Sequence, residues 1–129
     1  MRNTTAVVFS LLLACFAAPV VAHEGHMNGG KGAMKTVTGE VVDMGCYLGH
    51  AARGEKHTSC ATKCINNGMP MGLLTSSGTL YLLTLNHDNA DPYNSLKNMA
   101  GKNVTVTGEL IARSGIQGID VSAVRSAAK

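Results

Sequence analysis

Valine and threonine alternate at a period of two in two widely separated stretches of this chain, the pattern of half-buried β-strands. Thr36-Val37-Thr38-Gly39-Glu40-Val41-Val42 returns as Thr105-Val106-Thr107-Gly108-Glu109-Leu110-Ile111. Each copy carries an internal glycine, which permits a bulge or a sharp bend. Between the copies, apolar runs over Met71 to Thr75 and Thr79 to Leu85 are joined by Ser76-Ser77-Gly78, which predicts a hairpin. Asp91 is expected to cap a helix whose first position is Pro92 and which runs through Tyr93, Leu96 and Met99 to a terminal Gly101. A last strand is expected after the Arg113-Ser114-Gly115 turn, from about Gln117 to Val124, with Ile119, Val121 and Ala123 on one face. The order is β-β-β-α-β-β, and two long bent strands imply a small closed barrel.

That order resembles the OB-fold, an all-β, five-stranded Greek-key barrel with a helix between strands 3 and 4. The resemblance covers about residues 36 to 125. Residues 99 to 124, MAGKNVTVTGELIARSGIQGIDVSAV, resemble the last strands of small secreted bacterial OB-type domains. The stretch GEVVDMGCYLGH…GEKHTSCATKCINNGMPMGLL, from Gly39 to Leu74, resembles a set of small exported bacterial proteins with a Cys/His-rich first loop. The resemblance implies a fold and brings no activity with it.

The N-terminus changes the expected compartment. Met1-Arg2 precedes an apolar run from Ala6 to Ala18, a Pro19 breaker and the small-residue end Val20-Val21-Ala22. Residues 1 to 22 therefore read as a secretory signal peptide, and the apolar run falls short of the roughly 20 residues that a membrane helix needs. A competing cut at Leu12-Leu13-Ala14-Cys15 would leave Cys15 as a lipid anchor. It is less favoured, because the apolar Phe16 to Ala22 would then stay attached. The expected location is periplasmic or secreted, an oxidising setting. Residues 23 to 35, HEGHMNGGKGAMK, read as a flexible His/Met/Gly tail, and 36 to 129 as one OB-like domain with a Cys/His loop at 44 to 70.

Charge and composition narrow the function. The net charge is +3 with the basic residues spread along the chain, there is no tryptophan, and both phenylalanines lie in the signal segment. A basic groove with stacking aromatics is missing, so nucleic-acid binding is not expected despite the fold.

The chemistry is concentrated in one run: Cys46, His50, His57, Cys60 and Cys64, spaced C-x3-H-x6-H-x2-C-x3-C, inserted between strands 1 and 2. A helix capped by Thr58 or Ser59 and running through Ile65 to Asn66-Asn67-Gly68 would put Cys60 and Cys64 on one face. His57 would fold over its start, while Cys46 and His50 arrive from strand 1. Three thiols with imidazoles suit zinc or copper(I). Six methionines outside the signal segment (Met27, Met34, Met44, Met69, Met71 and Met99) tilt the choice toward copper, although about half fit core packing equally well. His23, freed by the cut after Ala22, could form a secondary copper(II) site with His26 and Met27. The alternative is a disulfide from Cys46 to Cys60 or Cys64 in a stapled interaction module without metal. Catalysis ranks lower. A Cys60 and His57 nucleophile pair lacks any surrounding motif, and no C-x-x-C redox motif, paired carboxylates or phosphate loop occurs. The leading expectation is an exported module that binds copper or zinc for metal handling or sensing, with a periplasmic protein partner left unidentified.

Overall fold

In the computed structural model, residues 32 to 127 are described. Five strands, β1 (Met34–Asp43), β2 (Met71–Leu74), β3 (Leu80–Leu85), β4 (Asn103–Arg113) and β5 (Ile116–Ser126), close into a barrel in the order β1-β2-β3-β5-β4. All neighbours are antiparallel except β3 and β5, which run parallel. Three short helices accompany them: α1 (Met44–His50), α2 (Thr58–Asn66) and α3 (Asp91–Leu96). This is the all-β, OB-like architecture expected from the sequence, with α3 between strands 3 and 4 and the cysteine-bearing segment between strands 1 and 2.

The repeated segments are each other's partners. Thr36 pairs with Thr107, Val37 with Val106 and Thr38 with Thr105. Their threonine hydroxyls meet across the strands, at 3.0 Å for Thr36 and Thr107 and 2.9 Å for Thr38 and Thr105. Val37 packs against the core and Val106 is part of it, so one face of the pair is a hydroxyl ladder and the other is core. Both internal glycines sit where backbones approach. A Cβ on Gly39 would stand 2.6 Å from the Leu74 carbonyl oxygen, and one on Gly108 only 2.1 Å from that of Asp120. Gly108 also marks a bulge, since Thr107 pairs with Ala123 but Gly108 with Val121.

The core is one cluster that joins Val41, Met71, Leu73, Leu83, Val104, Val106, Ile119 and Val121 from the strands to Leu96 and Ala100 beyond them. Ala61 and Ile65 of α2 belong to it as well. The loop carrying the cysteines is therefore fastened to the barrel interior.

Several boundaries differ from expectation. β1 begins at Met34, inside the expected tail, because it pairs with β4 as far as Met34 and Glu109, and Leu110 N–H donates to Ala33 O at 3.0 Å. α3 takes in Asp91 as its first residue, with Ala90 and not Asp91 in the capping position, and ends at Leu96 rather than running to Met99. Beyond it Asn98 and Met99 donate to Ser95 and Leu96, the tighter spacing of a 3-10 turn. Gly101, at φ 74°, then turns the chain back so that its N–H reaches Val41 O at 2.8 Å. No helix among the described residues is long and apolar enough to cross a membrane. The expected signal segment 1 to 22, the Cys15 anchor alternative and most of the 23 to 35 tail lie outside the described residues.

Candidate metal centre

Asp43, the last residue of β1, builds one wall of the site. Its backbone is extended, and its side chain caps α1: Oδ1 accepts from Gly45 N–H at 2.8 Å and from Cys46 N–H at 3.3 Å. Met44 N–H is tied to Pro70 O at 3.0 Å, which anchors the helix start to the entry of β2. At the other end Ala51 takes a left-handed conformation, φ 54°, and α1 stops after His50. Sequence pattern alone gives no helix here, because Gly45 and Gly49 depress its propensity. The cap supplies what propensity lacks.

The other wall is α2. Ala61 and Ile65, each 3% exposed, lie one helical turn apart and point into the barrel. Cys60 and Cys64 each precede one of these residues by one position, about 100° around the helix, so both thiols run along the flank of α2. The expected cap by Thr58 or Ser59 does not form. The chain enters α2 from a 3-10 turn, Glu55–His57, with His57 already near helical backbone angles, so no extended cap residue exists. The Thr58 hydroxyl instead abuts Gly101, where a Cβ would stand 2.4 Å from it. Gly54 N–H donates to Glu40, which fastens the connecting loop to β1.

Two ligand groups result. Ligand atoms of Cys46, His57 and Cys60 lie within 4.8 Å of one another, and so do those of Asp43, Cys46 and Cys64. Cys46 belongs to both. Cys60 is exposed, whereas Cys46, His57 and Cys64 are half-buried. All three thiols are free. Two buried polar atoms of the site, His57 Nε2 and Asp43 Oδ2, have no hydrogen-bond partner of normal geometry.

Of the five residues expected from the sequence, four thus converge and one does not. His50 closes α1 as an exposed residue in its last turn and belongs to neither group. Cys60 and Cys64 share a helix flank as expected, but each falls in a different group, and it is Cys46 that links them. Asp43 was not foreseen. An aspartate directly after the apolar Val41 and Val42, with a glycine two positions on, is a capping signal that could have exposed both α1 and the carboxylate. The candidate secondary site of His23, His26 and Met27 lies outside the described residues.

The carboxylate and the thiols shift one another. Burial pushes the Asp43 carboxyl up, but the thiol and N–H of Cys46, the N–H of Gly45 and the thiol of Cys64 together hold it below its usual value. In return the Asp43 carboxylate, with lesser help from burial and from Cys64 and Cys60, pushes the Cys46 thiol up to about 12. Burial first, and then Asp43, pushes the Cys64 thiol up. Without metal, Cys46 is therefore a neutral thiol at physiological pH. With the thiol favoured in the native state, its contribution to stability is complete below the unfolded thiol value, about 8.5, and is lost as pH rises from there toward 12. Metal-free protein treated with iodoacetamide at about pH 8, near the ordinary thiol value, should alkylate first at the exposed Cys60 and last at Cys46, read by mass spectrometry of quenched samples. Labelling of Cys46 ahead of Cys60 would contradict this arrangement.

Cys/His groups close enough to hold a metal ion are thus present at the junction of β1, α1 and α2. No family model, curated protein or solved structure matches this chain.

Proposed function

We propose that this protein is an exported metal-binding module in which Cys46, His57 and Cys60, together with Cys64, bind copper or zinc for metal handling or sensing. The observation that carries this reading is His57, whose Nε2 is buried without a hydrogen-bond partner and whose imidazole offers a ring nitrogen within 4.8 Å of two free thiols. An unsatisfied buried polar group costs about 1–3 kcal/mol, and a bound cation would turn that cost into coordination. A stapling disulfide from Cys46 to Cys60 or Cys64 would leave the imidazole orphaned and one thiol unused. Export rests on the Met1 to Ala22 pattern, and cell fractionation with N-terminal sequencing tests it.

Two features favour handling over a structural brace. Cys60 is exposed, which gives an ion a way in and out. The barrel core draws mainly on the strands, so the fold does not need the ion as a zinc finger does.

Protein purified anaerobically should carry close to one metal equivalent with its thiols protected from Ellman's reagent. Chelation should leave the far-ultraviolet spectrum β-rich. Restoring metal at roughly a hundred times its dissociation constant adds about 2.7 kcal/mol, a rise in melting temperature of roughly 10–20 °C for a domain of this size. Metal-free protein with two cysteines bridged would overturn the reading in favour of a disulfide-stapled interaction module.

A further inference from the structure

Met69 brings a soft donor, a thioether, to the first turn of α1. Gly68, at φ 101°, reverses the chain after α2, and Met69 N–H donates to Cys64 O at 3.0 Å, so Met69 is held against the last turn of that helix. Its side chain crosses to α1. A Cβ on Gly45 would stand 2.8 Å from Met69 Sδ, 2.9 Å from its Cε and 3.4 Å from Asp43 Oδ1. The thioether therefore lies on the first turn of α1, beside the carboxylate whose group includes Cys46 and Cys64. Met69 is 40% exposed and lies outside the core cluster, so core packing does not explain its place. The other described methionines differ. Met71 is fully buried in the core, Met99 packs against it, the sulfur of Met44 lies against Gly72 in the barrel wall, and Met34 is exposed at the start of β1.

Resting on the metal-binding reading above, we propose that the ion is copper(I) and that Met69 adds a thioether to the ligand set on its Cys46 and Cys64 side. A thioether is a soft donor that copper(I) accepts, whereas zinc takes thiolate, imidazole and carboxylate. Copper enters and leaves as the cuprous ion. Each thiol that ligates it gives its proton to solvent, and no electron is transferred.

The test compares Met69→Leu, which keeps the side-chain volume against Gly45, with Met44→Leu, a thioether in the barrel wall. Copper(I) affinity is measured anaerobically against bicinchoninate, and zinc(II) affinity against a chromophoric zinc chelator. Met69→Leu should lower copper(I) affinity about tenfold or more, a scale on which even outer-shell partners alter metal sites, and leave zinc affinity within about twofold. Met44→Leu should change neither. In selenomethionine protein loaded with copper(I), X-ray absorption at the selenium edge should reveal a copper neighbour that Met69→Leu abolishes. Unchanged copper(I) affinity in Met69→Leu, or equal losses for copper and zinc, overturns the thioether assignment. If Cys46→Ser loses both metals while Met69→Leu keeps copper, the metal-binding reading stands and this inference falls. Uptake of neither metal by the wild-type protein would remove both.

Discussion

Cys46→Ser should abolish metal uptake, with a loss of affinity of roughly a hundredfold or more, while His50→Ala leaves it within about twofold of wild type. The difference follows from position. The Cys46 thiol is the ligand atom common to both groups, so removing it disrupts Cys46, His57 and Cys60 as well as Asp43, Cys46 and Cys64. His50 is exposed at the end of α1 and joins neither group. Cys60→Ser and Cys64→Ser should fall between these extremes, at about tenfold each, because each removes a member of one group only. Serine preserves the backbone of both helices, so circular dichroism of the apo variants should match wild type and separate ligand loss from unfolding. Equal affinity in Cys46→Ser and wild type would place the site elsewhere, and the tail residues His23, His26 and Met27 would be the next to substitute. A loss in His50→Ala as large as that in Cys46→Ser would mean that α1 unwinds on binding to bring His50 in.

The barrel was readable from sequence because its signals are local. Val37 and Val106 alternate with threonines at a period of two, and their repeat anticipated two strands that turn out to pair with each other. The Ser114-Gly115 turn, with φ of 51° and 82°, is the tight reversal its composition suggested. The site was only partly readable. Helical spacing placed Cys60 and Cys64 on one flank, but which thiol joins the two groups depends on how α2 docks. Docking is set by Ala61 and Ile65 entering a core assembled from distant strands, and that information is tertiary. α1 was missed because glycines at positions 45 and 49 mask a short helix that one aspartate cap nucleates. Asp43 was missed with it.

The position of Asp43 also explains why the site can be formed before metal arrives. Asp43 is 1% exposed, yet it spends Oδ1 on the α1 cap and leaves Oδ2 without a hydrogen-bond partner of normal geometry beside two thiols. The carboxylate in that setting pushes the Cys46 thiol up, and burial followed by the carboxylate pushes the Cys64 thiol up, which disfavours the thiolate, the form that oxidises. A cation would reverse the balance by stabilising thiolates and neutralising the carboxylate together. The same residue thus positions Cys46 through its N–H and holds its thiol in reserve.

The largest effect on stability should come far from the cysteines, at Gly108→Ala. A Cβ there would stand 2.1 Å from the Asp120 carbonyl oxygen and 2.7 Å from Ile119 Cγ2, and the first of these is backbone that cannot rotate away. The β4 and β5 strands must separate at their bulge to admit it, and these two strands carry Val104, Val106, Ile119 and Val121 of the core. The expected cost is about 3 kcal/mol, the upper range for overpacking a tight interior, or a fall of roughly 12–24 °C in melting temperature. Gly49→Ala is the control with opposite sign. Gly49 lies inside α1, has nothing within 4 Å of the place a Cβ would take, and has no positive φ. Alanine there should raise stability by about 0.5–1 kcal/mol through helix propensity. Thermal melts of the two apo variants decide the matter. If Gly108→Ala melts with wild type, the β4–β5 bulge is looser than its contacts imply. If Gly49→Ala lowers the melting temperature, α1 is not held as a helix in solution, and the Asp43 cap does not preform the Cys46 wall of the site.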